Sequence, residues 1–279
     1  MRILHLADLH LSNKHPERAK WAHELVEKVI LSNNKFDYIV RDCKICGGKK
    51  FIFDDRRIYK DGEESNFAKQ CECVKKMVRY TKYDLANIPR EYFNLSIDTF
   101  KETSPEKISI KKKIREIVGN IDSYCREGKS LLFYGRKGTG KTMLSLEILK
   151  TAVEQGYSGY YEFYPIVFNA FMQKSFKSEE TKAKYDDILA NRDLIVLDEL
   201  VKERDYFSAN EANAEDISSR FLEMNILKRR SSKPTILISN MQNGLEEVTK
   251  YYGKYVASVM SHNFELIPLF DDDFRENGK

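Results

Sequence analysis

Apolar residues follow two rhythms along this chain. Unbroken runs occur at Leu131-Leu132-Phe133-Tyr134, Leu194-Ile195-Val196-Leu197 and Thr235-Ile236-Leu237-Ile238, with a shorter one at Tyr160-Tyr161-Glu162-Phe163. Runs without polar alternation suit strands covered on both faces, as in a parallel sheet. Helical spacing fills the intervals, over Ile114–Tyr124, Met143–Val153 and Glu211–Arg230, with Gly156 as a stop after the second. Strands and helices in turn predict an α/β fold across residues 114–279, a parallel sheet flanked by helices. Phe168 to Phe176 is aromatic and interleaved with Lys174 and Lys177. That pattern predicts an amphipathic helix packed on the core, the alternative being a stacking surface for single-stranded nucleic acid.

The first half reads differently. Arg2–Leu9 alternates, Glu17–Leu31 has helical spacing and Phe36–Val40 is a short strand pattern, so residues 1–41 predict strand, helix, strand, a segment for which the sequence offers no role. Residues 42–80 are cysteine-bearing, and 81–113 read as a connector. In the connector, Pro89 biases Ile88 away from helix, Lys101–Lys107 is polar and includes Ser104-Pro105, and Lys111-Lys112-Lys113 forms a basic run. The run reads as a solvated helix face, or else as a contact for nucleic-acid phosphates.

The length of 279 residues suits one large domain with a small one, or two medium ones. Charged residues at 32% and hydrophobic ones at 42% are ordinary for a soluble globular protein, and a net charge of +4 permits nucleic-acid contact without arguing for it. No apolar run reaches membrane-spanning length, and Met1-Arg2-Ile3-Leu4-His5 does not read as a signal peptide, so a cytoplasmic protein with no membrane partner is expected.

Gly135-Arg136-Lys137-Gly138-Thr139-Gly140-Lys141-Thr142 fits G-x-x-x-x-G-K-[ST], a phosphate-binding loop, and sits between a predicted strand and a predicted helix. Glycines let the backbone curl and turn N–H groups inward onto phosphate oxygens. The free N–H groups and positive dipole end of the following helix face the same anion. Lys141 would reach the β- and γ-phosphates, and Thr142 would place its hydroxyl on Mg²⁺. A second site ends the run Asp193–Leu197: Asp198 and Glu199 stand at the carboxyl end of a buried strand, where ligands bind in parallel sheets. Asp198 would hold Mg²⁺, through water or directly, and Glu199 would polarise the attacking water. The pair gains force from lying 57 residues after Lys141. Asn240, closing the strand of Thr235–Ile238, supplies an amide that orients the same water or touches the γ-phosphate.

Four of the five cysteines lie between Cys43 and Cys73. Cys43 and Cys46 form C-x2-C, 24 residues follow, and Cys71 and Cys73 form C-x-C. Four thiolates make a closed tetrahedral Zn²⁺ site with no open position for a catalytic water, so the metal is read as structural. Gly47 and Gly48 allow the tight turn that points N–H groups at sulfur. Between the pairs, Phe51-Ile52-Phe53 and Arg57-Ile58-Tyr59 predict a hairpin. Cys125, alone on a helix, reads as a small core residue.

Two resemblances follow from these residues. The opening Met1-Arg2-Ile3-Leu4-His5-Leu6-Ala7-Asp8-Leu9-His10-Leu11 resembles the start of a metallophosphoesterase, where an Asp-x-His binds two metal ions and Asp8 and His10 would be ligands. That family's later G-D, G-N-H and G-H-x-H motifs are absent, and His262 is the one histidine beyond His23, so the segment reads as a borrowed or coincidental fragment. Residues 42–275 resemble the DnaC/DnaI-like AAA+ helicase loaders and their IstB-type relatives. The residues that carry this are Asn87-Ile88-Pro89-Arg90, Gly135–Thr142, Leu197-Asp198-Glu199-Leu200 with Lys202-Glu203, Arg229-Arg230 before Pro234–Asn240, and Asp273-Phe274-Arg275.

The resemblance implies an AAA+ P-loop ATPase with a short C-terminal lid. Lys141 and Thr142 would bind ATP·Mg, Asp198 and Glu199 would be metal ligand and catalytic base, Asn240 the sensor, and Arg275 a second sensor near the γ-phosphate. It also implies a hexameric replicative helicase as partner, contacted by the zinc module, with single-stranded DNA on the ATPase and a possible homo-oligomer. A transposition helper and an ATP-holding adaptor with little hydrolysis are the competing readings. The sequence departs from the family at Gly253–Met260, which lacks the arginine such ATPases offer across a subunit interface. Arg229, Arg230 or a partner would have to supply that charge.

Overall fold

A computed structural model describes residues 35–53, 57–58, 64–65, 68–172, 176–203 and 214–270. The chain divides into two units, Met1–Leu85 and Ala86–Lys279. Among the described residues no helix is long and apolar enough to cross a membrane.

In the first unit, Tyr38–Arg41 is a single helical turn, α1, and not the strand expected at Phe36–Val40. Phe36 and Val40 are both buried, four residues apart, which is a helical and not a strand spacing. A five-residue apolar run does not separate the two on pattern alone. Phe36 packs edge-on against Tyr80 with ring centroids 5.7 Å apart. Strand β1 (Phe51–Phe53) pairs antiparallel with β4 (Ala68–Gln70), and β2 (Arg57–Ile58) pairs with β3 (Glu64–Ser65). The expected hairpin is thus corrected: Phe51–Phe53 finds its partner beyond the Arg57 strand, in a ladder that brings Gln70 opposite Phe51 and Cys71 close behind. Helix α2 (Glu72–Leu85) starts inside the second cysteine pair and buries Cys73, Val74, Met77, Tyr80 and Thr81 along one face.

The second unit is built on five parallel strands in the order β6-β7-β8-β5-β9. These are β5 (Ser130–Gly135), β6 (Gly159–Phe163), β7 (Leu194–Leu200), β8 (Thr235–Ser239) and β9 (Phe264–Leu269). The unbroken apolar runs are the central strands, and Leu131, Leu132, Phe133, Ile195, Val196, Ile236 and Leu237 are almost wholly buried. Helices α3 (Pro105–Gly119), α4 (Ile121–Glu127), α5 (Lys141–Glu154), α6 (Tyr164–Met172), α7 (Phe176–Asn191), α8 (Ala214–Phe221) and α9 (Leu245–Asn263) flank the sheet. Helix α8 continues into a π-helical stretch at Leu222–Lys228. On α6, Tyr164, Val167, Phe168 and Ala170 are buried in the core, the helix packing on β6 and β7. The aromatic residues of α6 serve packing, while Lys174 and the side chains of Phe176 and Lys177 lie outside the described residues.

Helix α3 begins well before Ile114. Ser104 accepts a hydrogen bond from the Lys107 N–H at 3.3 Å and Pro105 occupies the first turn, the Ser-Pro signature of a helix start. The basic run is also corrected at one position. Lys111 is buried and donates to the carbonyl of Phe100 at 2.9 Å beside Glu102 at 2.8 Å.

Candidate nucleotide and zinc sites

Strand β5 ends at Gly135, whose φ of 127° and tight surroundings leave no alternative residue: a Cβ there would stand 1.9 Å from the carbonyl oxygen of Leu269. Gly138 (φ 75°) and Gly140 (φ 97°) curl the backbone before α5 opens at Lys141. Thr139 is buried and ties the loop to itself, donating to the Arg136 carbonyl at 2.9 Å. The Lys141 ammonium donates to the Gly135 carbonyl at 2.9 Å and to that of Arg136, which keeps it over the loop.

The acids arrive from β7. Asp198 Oδ2 accepts from the Thr142 hydroxyl at 2.8 Å and from the Tyr161 hydroxyl at 3.2 Å, while Oδ1 accepts the Glu199 N–H at 2.7 Å. Burial raises the Asp198 carboxyl above its ordinary range, and the three donors oppose that shift. Burial beside Asp198 likewise pushes the Tyr161 phenol far up, so it stays a hydrogen-bond donor. The ladder between β7 and β8 shifts register between Leu197 and Leu200. Glu199 (φ 64°) and Val201 (φ 87°) take left-handed backbone angles that side chains rarely adopt. The irregularity turns Glu199 toward the cleft, where Lys202 pairs with it, and Ser239 braces the bend by donating to the Leu200 carbonyl at 3.0 Å.

Lys137–Thr142, Asp198, Glu199 and Asn240 line one cavity of about 570 Å³ together with Tyr92, Leu95, Thr99, Phe100 and Lys101. The structure therefore brings Lys141, Thr142, Asp198, Glu199 and Asn240 together, with Gly135 and Arg136 at the root of the loop. Arg275 lies outside the described residues. The Tyr92–Lys101 stretch was not expected to face the site. Two buried lysines secure it: Lys111 from α3, and Lys150 from α5, which reaches the Tyr92 carbonyl at 3.4 Å, the Leu95 carbonyl and Glu147.

Arg229 and Arg230 are both engaged away from this site. Arg230 is 2% exposed and donates to the carbonyls of Leu189 (2.8 Å), Arg192 (3.0 Å), Asp193 (3.3 Å) and Pro234 (3.2 Å) and to the Thr235 hydroxyl (2.9 Å). Arg229 grips Asp186 with both terminal nitrogens, at 2.6 and 2.9 Å. Both precede β8, at the strand end opposite Asn240.

The first unit gathers its own cluster. Cys43 and Cys71 sulfurs lie 3.8 Å apart, those of Cys46 and Cys73 lie 3.6 Å apart, and all four fall within 4.8 Å of one another. A tetrahedron with metal–sulfur bonds of about 2.3 Å has edges of about 3.8 Å, so the four sulfurs fit zinc. N–H groups of Cys46 and Ile45 pull the Cys43 thiol down to about 7, while burial pushes Cys73 up. Gly47 and Gly48, both at positive φ, turn the chain immediately after Cys46.

Among solved structures, the chain is similar to the DnaC helicase loader, at 26% identity and a TM-score of 0.52, over 65% of this chain and 99% of that one. The fold is that of an AAA+ P-loop ATPase. The crystal structure of DnaI shows the same AAA+ fold at 16% identity and a TM-score of 0.51, over 67% of this chain and 93% of that one. No protein-family model matches the sequence, and no curated protein does. Asp8 and His10 lie outside the described residues, and these comparisons lend the metallophosphoesterase resemblance no support.

Proposed function

We propose that this AAA+ protein is an ATP-dependent DNA replication factor that loads a hexameric replicative helicase onto single-stranded DNA. One observation carries the reading. A phosphate loop and a two-acid strand converge on one cavity through the Thr142–Asp198 hydrogen bond, in a chain that is 26% identical to the DnaC helicase loader.

The chemistry follows from the side chains. Loop amides and Lys141 hold the triphosphate tail of ATP. By donating its proton to Asp198, the Thr142 hydroxyl turns its lone pairs toward the cleft. With the Asp198 carboxylate it forms a hard-oxygen site that fits Mg²⁺. Magnesium held there would supply positive charge against the phosphates. Glu199, released from Lys202, takes the proton of the attacking water, Asn240 orients that water, and Arg275 acts as a second sensor. The Cys43, Cys46, Cys71 and Cys73 site holds Zn²⁺ and shapes the unit that meets the helicase.

Gly253–Met260 offers no arginine, and Arg229 and Arg230 are engaged elsewhere. These facts favour a chain whose hydrolysis is slow alone and accelerates when a partner supplies the charge. An adaptor that holds ATP with little hydrolysis of its own is the second reading on the same ground. The test is capture of purified hexameric replicative helicase with and without ATP, alongside ATPase rates with single-stranded DNA. Helicase capture with ATP turnover by the parent and none by Glu199→Gln supports the loader. Capture of a transposase in place of the helicase points to an IstB-like helper, and ATP binding with little turnover under all conditions points to the adaptor.

A further inference from the structure

The hydrogen bond from Tyr161 to Asp198 is not part of the phosphate-loop chemistry, and Tyr161 does not line the cavity. It lies behind Asp198, 3% exposed, on edge strand β6. Its backbone is held twice. The Tyr161 N–H donates to the Ala86 carbonyl at 2.9 Å, and the Asn87 side-chain amide donates to the Tyr161 carbonyl at 2.8 Å. Asn87 itself sits at φ 56°, and its amide also reaches Glu162, which accepts from the Tyr185 hydroxyl at 2.9 Å. This tyrosine is thus held at its backbone by Ala86 and Asn87, with Glu162 and Tyr185 behind Asn87, and its hydroxyl meets the one carboxylate oxygen that also serves Thr142.

We propose that Tyr161, set in place by Asn87, is a positioning residue that fixes the Asp198 carboxylate for divalent metal, resting on the nucleotide-binding reading above. The Thr142 hydroxyl can turn its lone pairs toward a metal only while its proton stays on Asp198 Oδ2. A second donor on that oxygen, from the side away from the cleft, holds the carboxylate against rotation. Outer hydrogen bonds of this kind alter metal affinity without touching the metal.

The test uses the full chain, a fluorescent ATP analogue and magnesium titration, with direct Mn²⁺ binding by electron paramagnetic resonance as a readout independent of turnover. Tyr161→Phe removes one oxygen and keeps the ring. It is expected to leave metal-free nucleotide affinity within about twofold and to raise the Mg²⁺ or Mn²⁺ midpoint by about tenfold to a hundredfold. Asn87→Ala, expected to shift the midpoint the same way by a smaller factor, carries the test should Tyr161→Phe not fold. An unchanged metal midpoint with intact nucleotide binding overturns the role of Tyr161 and leaves the site standing. Absence of analogue binding by the parent chain overturns the site itself.

Discussion

Arg230→Met is the substitution that best separates architecture from catalysis in this chain. Arg230 is 2% exposed and gives hydrogen bonds to four backbone carbonyls and the Thr235 hydroxyl. Those carbonyls belong to the end of α7, the entry to β7 and the entry to β8, so one guanidinium joins three elements. Methionine keeps most of the stem's bulk and none of the donors. Each buried acceptor left bare costs about 1–3 kcal/mol, though not additively. Removing the charge returns its desolvation cost, which is visible in the Arg230 pKa being drawn down to about 9 by burial. Balancing these, the loss should be about 3–5 kcal/mol, since the partners left bare are neutral and their penalties are partly offset by the desolvation returned. That is a large fraction of a typical stability of about 5–15 kcal/mol. Urea unfolding followed by far-ultraviolet circular dichroism should show a lower midpoint, while the folded fraction still binds and hydrolyses ATP. A loss below about 1 kcal/mol would refute the structural role. Loss of hydrolysis at unchanged stability would show instead that Arg230 acts on the phosphates.

Metal analysis of the purified protein should give about one zinc per chain, and a strong chelator should melt the Cys43–Cys73 unit while nucleotide binding persists; a zinc-free protein with that unit intact would exclude the site. Lys150→Met frees the Tyr92 and Leu95 carbonyls and leaves Glu147 unpaired. It should weaken ATP binding by about tenfold, the size of one charged hydrogen bond, and leave inorganic triphosphate binding unchanged. Calorimetry with both ligands distinguishes this from a loss confined to the phosphate loop.

The phosphate loop and the two acids were legible because their chemistry is local: a glycine pattern, a lysine and a carboxylate pair at a strand end. The parallel sheet was legible for a related reason, since strands covered on both faces carry no polar alternation. What stayed hidden depends on contacts remote in sequence. Tyr161 and Lys150 look like ordinary strand and helix residues until β6 and α5 are placed beside Asp198 and Tyr92. Ser104-Pro105 did carry a signal, a cap with proline in the first turn, and it was read as connector because the polar residues around it masked the start of α3. Phe36–Val40 and the strands of the zinc unit are too short for periodicity to decide, and the ladder that runs into Cys71 pairs Phe51–Phe53 with Ala68–Gln70 and not with Arg57–Ile58. Arg230 looked available because a run of basic residues gives no hint of burial.

The position of β5 has a consequence for how the protein is made. Its two neighbours in the sheet are β8 and β9, which leave the ribosome long after it does. At about 5–20 residues per second, Leu131, Leu132 and Phe133 wait on the order of ten seconds for the strand at Phe264–Leu269. Until β8 emerges neither flank of this buried strand is covered, and until β9 follows one flank stays open. Expression at low temperature or with added chaperone should therefore raise the yield of folded chain, and fragments that stop before β8 should collect as aggregates.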